Sequence, residues 1–421
     1  MFSLKEIFFQ PLKCQPNINT LHVHRNLTTK YPQIFLVGLD GLGVVVEYVQ
    51  AANEFKAYTI SLQDPAFDCR VLSMELLPIS KYNTSPAIVY GYAKTNSISN
   101  NDDCSSYYFD RVQILDNNTK SSTQNRLGFA AKYMKTIITK NVMTNENEVL
   151  LVVAGADKLA FFSEKNERTL QDVTKIIDLY LPELKQAPGN VCAMDLLLIC
   201  DPKTDQLKQR LIVCGYSTGL LDLYITDVQP DGSIKTTEKT LEYDSFISTV
   251  KFFYHNQKPL ENEKPHLIVT SALEPAVIYR NVSMNGLTDP VVLYGTDSQD
   301  CITSSCVCDI DLDGKNEILL GTFGKTCFIC RIPIENYKCN KYDGLTFIAE
   351  TFPVCRVLSL AASAFGILAL DLTNDGLDEI VIATTKGLHI YQLELSEVVK
   401  LIESRLEKKS NENDNLSVTS H

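Results

Sequence analysis

The sequence contains no tryptophan, only six histidines, and no run of 18 apolar residues. The absence of tryptophan excludes repeat families whose units carry a Trp-Asp pair. Without a long apolar run, neither a transmembrane helix nor direct membrane insertion is predicted. A phosphate-binding glycine loop, a nucleophile elbow and a Ser-His-Asp order are also missing, so the sequence predicts neither an enzyme nor an organic cofactor.

Charge and cysteine usage narrow the class of protein further. The 421 residues include 39 Lys and Arg against 51 Asp and Glu, a net charge of −12, which would be repelled by nucleic acid and by anionic lipid head groups. Nucleic acid is therefore not an expected partner. The 13 cysteines are odd in number and scattered through apolar runs, which predicts buried free thiols in a reducing compartment. The N-terminal segment is a poor signal peptide, so we expect a cytoplasmic protein.

A short motif recurs seven times along the chain. Each copy has a β-branched run that ends in a small residue, a few turn-prone residues and a second apolar run, which predicts a strand, a tight turn and a strand. The small residues recur at intervals of roughly 60 residues. They are Gly38, Gly91, Gly155, Gly215, Ser271, Gly321 and Ala383.

Further strand-like stretches precede most of these pairs, for example at 69–77, 190–199, 246–254 and 302–311. The segment 227–243, with its Pro-Asp-Gly turn, fits an outer strand. Seven four-stranded units arranged radially form an all-β, seven-bladed β-propeller, which we predict for residues 1–393. Two unrelated β domains are the competing interpretation.

Two segments show helical spacing of apolar residues instead. The first predicts a helical insertion at 168–186 between blades, and the second predicts an amphipathic C-terminal helix at 394–409. Residues 410–421 are polar and predict a solvated tail.

An acidic loop leads into the sixth strand pair, which begins at residue 317. Its residues at positions 1, 3, 5 and 9 are Asp309, Asp311, Asp313 and Glu317, and the carbonyl of Lys315 can supply a ligand at position 7. Gly314 at position 6 permits a sharp turn, and oxygen ligands of this kind suit Ca²⁺. An EF-hand is excluded because position 12 is an apolar strand residue and flanking helices are missing.

The arrangement recurs 62 residues downstream, in front of the next strand pair. There the candidate ligands are Asp371, Thr373, Asp375, the carbonyl of Leu377 and Glu379. The neutral Thr373 predicts a weaker site than the first. The alternative is that both sets of acids only cap turns through side-chain hydrogen bonds and bind no metal.

The apolar stretch before the second loop is unusually long. It runs for 14 residues, 357–370, which exceeds the length of a blade strand. We therefore expect a bulge or a looped-out segment within 361–369.

The two acidic loops resemble the calcium loops of FG-GAP repeats, the blades of integrin α-subunit propellers. Beyond the loops, the stretches 270–298, 307–325 and 370–390 are similar to the kaptin family, over about 266–406 in total. The most specific of the matching segments reads LEPAVIYR, at 273–280.

The kaptin resemblance implies a non-enzymatic subunit of KICSTOR, a complex at the lysosomal surface that holds the GATOR inhibitory complex near the Rag GTPases. Nutrient shortage would then switch off mTOR complex 1. The implied partners are a second FG-GAP propeller protein, a large scaffold subunit and the GATOR complex. The resemblance also implies an alternative, an actin-filament-associated protein at actin-rich cell edges. An extracellular adhesion module and a propeller hydrolase are further alternatives.

Two other groups of residues could in principle bind a metal. Cys327 and Cys330 form a CxxC pair, but they fall in a predicted strand without a second pair, and a core role is favoured for them and for Cys306 and Cys308. His22 and His24 alternate on one strand face, with no carboxylate nearby in the sequence.

Overall fold

The computed structural model describes residues 3–13, 15–25, 31–62, 69–78, 87–94, 106–115, 118–141, 145–166, 169–229, 232–331, 354–394, 396 and 398–403. The described residues form seven separate four-stranded antiparallel sheets. Within the described ranges, no helix is long and apolar enough to cross a membrane. The strands in chain order are β1 (Leu4–Pro11), β2 (Pro16–Arg25), β3 (Pro32–Gly38), β4 (Leu42–Val49), β5 (Glu54–Ser61), β6 (Cys69–Leu77), β7 (Ala87–Lys94), β8 (Ser106–Leu115), β9 (Asn118–Leu127), β10 (Tyr133–Lys140), β11 (Asn147–Ala154), β12 (Leu159–Asn166), β13 (Thr169–Asp172), β14 (Val191–Cys200), β15 (Leu207–Tyr216), β16 (Leu220–Val228), β17 (Ile234–Glu242), β18 (Ile247–Phe253), β19 (His266–Ser271), β20 (Ala276–Tyr279), β21 (Pro290–Leu293), β22 (Ile302–Cys308), β23 (Glu317–Thr322), β24 (Thr326–Arg331), β25 (Val354–Ser359), β26 (Ala364–Leu370), β27 (Glu379–Thr384) and β28 (Gly387–Leu393).

The seven sheets are the blades of a propeller, as predicted. Blades 1 to 6 take four consecutive strands each, starting from β2, and blade 7 combines β26, β27 and β28 with β1 from the N-terminus. The innermost strands of successive blades contact one another around the whole ring, including blade 7 against blade 1. Because β1 supplies the outer strand of the last blade, its seven residue pairs with β28 close the ring. The sequence pattern had not revealed this closure.

Three of the recurring small residues, Gly91, Gly215 and Gly321, lie against the inner part of the next blade. A Cβ added to Gly215 would lie 2.4 Å from a side-chain carbon of Ile247, which is on the inner strand of the next blade. One added to Gly321 would lie 2.8 Å from Ile367, again on the next blade. Such distances are too short for a real contact, so glycine at these positions allows the neighbouring blades to pack closely.

The insertion between blades 3 and 4 differs from the predicted helix at 168–186. Its first part is the short outer strand β13, and the remainder forms two 3₁₀ helices, Thr174–Leu179 and Pro182–Leu184. The apolar residues with helical spacing are nevertheless buried in the core shared by blades 3 and 4. These residues are Val173, Ile177, Leu181 and Leu184.

A buried ion pair fastens this insertion to blade 4. The Arg210 guanidinium donates to both carboxylate oxygens of Glu183, at 2.7 and 3.0 Å, and both side chains are fully buried. Thr226 donates a further hydrogen bond to Glu183 at 2.5 Å.

The long apolar run 357–370 is not one strand, and the register of β26 against β27 shifts between Ala364 and Gly366, within the segment 361–369 where a bulge or loop was expected. It contains the end of β25 in blade 6 and all of β26 in blade 7, with a four-residue connection at 360–363. Its length therefore reflects two strands in successive blades. Near the C-terminus, residues 398–403 are helical, and Val398 packs into the core between blades 6 and 7. The predicted solvated tail at 410–421 lies outside the described residues.

Candidate functional site

The first acidic loop connects β22 to β23, the two inner strands of blade 6. Leu312 and Gly314 adopt positive φ angles of 59° and 82°, and the residues 62 positions later, Asn374 and Gly376, adopt 56° and 88°. The two loops therefore follow the same backbone path. This path reverses the chain tightly enough to turn alternate side chains inwards, and glycine at the sixth position adopts it without steric cost.

Three carboxylates converge within the first loop. Single oxygens of Asp309, Asp311 and Glu317 all lie within 4.8 Å of one another, and the three residues are 4%, 5% and 2% exposed. Among the described residues, no other group of three such side chains is this close. A buried set of carboxylate oxygens matches the ligand type that Ca²⁺ takes.

Bringing these carboxylates together in a buried position raises the pKa values of two of them. Burial, followed by the charge of Asp311, raises the pKa of Glu317 to about 8. Burial also raises the pKa of Asp309, and the charges of Asp313 and Asp311 add to that effect. Carboxylates that resist ionisation in this way gain from any positive charge placed between them.

Asp313 and the Lys315 amide take part in the hydrogen bonds of the turn. Asp313 is exposed, and its Oδ1 accepts a hydrogen bond from the backbone amide of Lys315 at 2.8 Å. Asp309 accepts from the amides of Asp313 and Gly314, at 3.0 and 2.8 Å. The turn-capping bonds of the alternative interpretation are thus present beside the convergent carboxylates. Both features coexist in one loop.

Arg331 on β24 is a member of the site that sequence reasoning missed. It pairs with Glu317 across the strands, its guanidinium contacts Asp311, and its Nε lies 3.8 Å from Glu317 Oε1. The side chain is 55% exposed, so its charge is partly shared with solvent. The signal that could have found it is strand register, because the residue opposite position 9 of the loop must face the carboxylates.

The second loop repeats the hydrogen bonds but not the cluster. Asp371 accepts from the amides of Asp375 and Gly376 at 3.1 and 2.9 Å, and Glu379 accepts from the amide of Leu372 at 2.6 Å. Thr373 occupies the place of Asp311 and donates to Glu379 at 3.1 Å.

Gln392 stands at the position equivalent to Arg331. It donates to both Asp375 and Glu379 at 2.9 Å. Asp375 is exposed, and its Oδ1 accepts from the amide of Leu377 at 2.9 Å. Neutral groups donate to these carboxylates, although burial, followed by the charges of Asp375 and Asp371, still raises the pKa of Glu379 to about 7. The second loop thus holds one fully buried carboxylate where the first loop holds three.

The first loop also joins two blades. The amide of Asn316 donates to the carbonyl of His255 at 2.7 Å, and the amide of Gln257 donates to the carbonyl of Gly314 at 3.0 Å. The Asn316 side chain donates to the carbonyl of Tyr254 at 2.9 Å. A cation that neutralised the carboxylates of this loop would therefore also stabilise the contact between blades 5 and 6.

Comparison with known proteins identifies the family. The family model described as "KICSTOR complex protein kaptin" matches residues 4–403, from the closing strand to the C-terminal helical segment. The chain belongs to the kaptin family. The mouse protein named KICSTOR complex protein kaptin is 28% identical over 264 residues. That alignment covers 62% of this chain and 57% of the mouse protein, so it spans little more than half of that relative.

Solved structures support the fold of this kaptin-family chain. A crystal structure of BBS1N in complex with ARL6DN, soaked with mercury, superposes with a TM-score of 0.56 at 9% identity. It covers 94% of this chain and 98% of the other. The same complex soaked with lead gives a TM-score of 0.53 at 8% identity, with 93% and 97% covered.

The kaptin-family propeller contains one relay that resembles a catalytic triad. Thr384 Oγ1 lies 3.1 Å from His389 Nε2, and His389 Nδ1 lies 2.9 Å from Glu6 Oε1. The Thr384 hydroxyl is fully buried and also accepts from the amides of Lys386 and Gly387, both at 3.2 Å. A substrate has no access to this hydroxyl, and the relay instead ties β1 to β28.

The remaining candidate metal groups are dispersed by the fold. Cys327 and Cys330 are buried in different core clusters, on opposite faces of β24. His22 faces Glu75, with Nδ1 and Oε1 3.4 Å apart, although the two residues are far apart in sequence. His24 is buried without that carboxylate. Cys306 and Cys308 are free, buried thiols.

Proposed function

We propose that this chain is a non-enzymatic scaffold subunit of a KICSTOR complex at the lysosomal surface. In this role it helps recruit the GATOR inhibitory complex and so restrains mTOR complex 1 during nutrient deprivation. The observation that carries the proposal is the family match over residues 4–403, which includes all seven blades and the closing strand. A second FG-GAP propeller protein and a large scaffold subunit are its proposed partners.

The architecture is consistent with a subunit that binds other proteins. A closed ring of short sheets offers two faces built from loops, while its core stays rigid. The one relay of hydroxyl, imidazole and carboxylate in the described residues serves ring closure, with its hydroxyl out of reach. The alternative function, binding to actin filaments, has less support, because a net charge of −12 gives no electrostatic attraction to acidic filaments.

We also propose that the first acidic loop is a calcium site of the FG-GAP type. Asp309, Asp311 and Glu317 would hold the ion, which would supply the positive charge that their buried carboxylates need. These residues position their oxygens together without it, since the backbone amides of Ile310 and Gly314 already hold Glu317 and Asp309 in place. The calcium would then stabilise the junction of blades 5 and 6 and would take no part in chemistry.

Affinity purification followed by mass spectrometry tests the scaffold role. Tagged full-length chain is compared with a variant lacking residues 3–11, which removes the closing strand. We expect the intact chain to recover a second propeller protein and a large scaffold subunit under gentle lysis, and the open variant to lose them. In cells without the chain, mTOR complex 1 signalling should persist during amino-acid starvation. Recovery of the intact chain alone, or pelleting of purified protein with actin filaments, would contradict the proposal.

A further inference from the structure

The seven inner strands surround a central channel of about 300 Å³. This volume lies at the lower end of the range for small-molecule pockets in proteins. Hydroxyl groups of Ser248, Thr249, Thr303 and Ser305 form part of its wall, next to apolar side chains such as Leu368. None of these residues belongs to the acidic loops or to the ring-closing relay.

The channel carries an alternating ring of charge. Blades 1 to 5 contribute His22, Glu75, Lys135, Asp195 and Lys251 in that order. Blades 6 and 7 contribute only neutral side chains to the channel wall. When His22 is protonated, the ring therefore has three cations and two anions, although the chain as a whole has a net charge of −12.

Both acidic members of the ring have close partners within the protein. Glu75 lies 3.4 Å from His22, and Asp195 Oδ2 accepts from the backbone amide of Phe252 at 2.8 Å. Burial alone would lower the pKa of His22 and raise that of Glu75. Their mutual attraction outweighs burial, so the pKa of His22 is raised and that of Glu75 is lowered; the charge of Lys135 opposes the effect on His22 and adds to the effect on Glu75. This pair therefore favours its charged form.

The two lysines have no close hydrogen-bonding partner of this kind, although the charge of Lys135 acts on Glu75 and that of Asp195 acts on Lys251. Neither the Lys135 nor the Lys251 ammonium forms a hydrogen bond or an ion pair within 4.0 Å in the part of the chain that the structure describes, and both side chains are half-buried. The neighbouring Cys306, against the effect of burial, and then Asp195 raise the pKa of Lys251, so its ammonium remains charged. Two cations thus face one small channel with their hydrogen-bond donors uncommitted.

We propose that the central channel binds a small oxyanion, a phosphate or a carboxylate, between Lys135 and Lys251. An oxyanion accepts the uncommitted donors of both ammonium groups and balances the excess positive charge of the ring. The partial desolvation of the channel strengthens this attraction relative to bulk water. This inference does not depend on the proposed scaffold role, because it concerns residues inside the ring.

Isothermal titration of the full-length protein with inorganic phosphate, and separately with succinate, tests the inference and distinguishes the two kinds of oxyanion. Sodium chloride at matched ionic strength is the reference. We expect saturable binding of at least one probe, weakened about tenfold or more by Lys251→Gln and by Lys135→Gln. Lys235→Gln serves as the matched control, since Lys235 is exposed on the outer strand of blade 4 and carries the same charge. This control should bind like the wild type.

If a glutamine substitution disturbs folding, two charge-preserving variants still test the proposal. Lys251→Arg and Lys135→Arg preserve the charge, and each should retain saturable binding to within about threefold. A crystal soaked with selenate should show selenium density in the channel. Absence of binding by the wild type, equal binding by the folded double glutamine variant, or selenium found only at surface lysines would overturn the proposal.

Discussion

Glu6 and His389 are 383 residues apart in the sequence, and their side chains meet at 2.9 Å between Oε1 and Nδ1. The contact links the first strand of the chain to the last and so lies on the seam that closes the ring. His389 is nearly buried, whereas Glu6 is 42% exposed. The His389 ring also packs against Phe9, with ring centroids 4.7 Å apart.

Removing the imidazole should loosen this seam. His389→Ala leaves the Thr384 hydroxyl without its ring partner and deletes the contact with Phe9, so we expect the free energy of unfolding to fall by about 1–3 kcal/mol. Glu6→Ala should cost less, about 1 kcal/mol at most, because the Glu6 carboxylate is 42% exposed and solvent screens its interaction with His389. Urea denaturation measures both. Glu54→Ala, in an exposed pair with Lys56, is the control and should change little; an equal loss in all three variants would refute the seam's role.

The buried pair of Arg210 and Glu183 should be far more sensitive. Both side chains are 0% exposed, so Glu183→Ala leaves an uncompensated guanidinium in the core, at a cost of about 3–5 kcal/mol. The double variant Arg210→Met with Glu183→Leu should recover most of that loss, because no charge then remains buried. Thermal and urea unfolding of the three proteins check this. If the double variant were as unstable as the single one, packing and not charge would explain the pair.

Calcium should stabilise the protein through the first loop. A ligand present at 100 times its Kd raises the free energy of unfolding by about 2.7 kcal/mol. Calcium titration monitored by melting temperature should show this for the wild type and lose it in Asp309→Asn. Asp371→Asn is the matched control at the same position of the second loop, where no buried carboxylate cluster exists, and it should keep the response. Equal losses in both variants would show that the loops do not differ.

Arg331 should compete with calcium for the same carboxylates. Its guanidinium contacts Asp311 and lies near Glu317, so Arg331→Gln should raise calcium affinity several-fold by removing a like charge from the site. Glutamine is also the residue that the second loop carries at this position, as Gln392. Lys325→Gln removes one positive charge from the far end of the same blade as a control. Unchanged affinity in Arg331→Gln would mean that the arginine simply moves aside.

Glu317 makes stability depend on pH when calcium is removed. Its pKa rises from 4.5 in its ordinary state to about 8 in the folded protein, mainly through burial. Between these values the folded state binds more protons than the unfolded state, so its stability falls as pH rises from about 4.5 to about 8. In a chelator, Glu317→Gln should reduce this decline and leave the smaller part that Glu379 contributes, with its pKa raised to about 7, whereas the exposed Glu54→Gln should not change it. The urea concentrations at the unfolding midpoints of the wild type and both variants, measured at pH 5, 6.5 and 8, test this prediction.

Much of the architecture could be predicted from the repeat itself. Seven strand pairs at a regular interval predict seven blades, because each blade must bury both faces of its sheet against its neighbours. The segment 168–186 could not be assigned from spacing alone. A 3₁₀ helix buries Val173 and Ile177 as well as an α-helix would. The strand β13 is recognisable only from its pairing with β12 in the folded sheet.

The amino-acid sequence by itself determined the blade units, the small residues between blades and the two turns that gather Asp309 and Asp371, because these depend on neighbours a few residues away. Only the tertiary structure decided how the ring closes, that Arg331 contacts the carboxylates of the first loop, and which charges share the central channel. The physical reason is that these contacts join residues from different strands and blades. Their proximity is set by strand register and ring closure, which no local pattern of residues encodes.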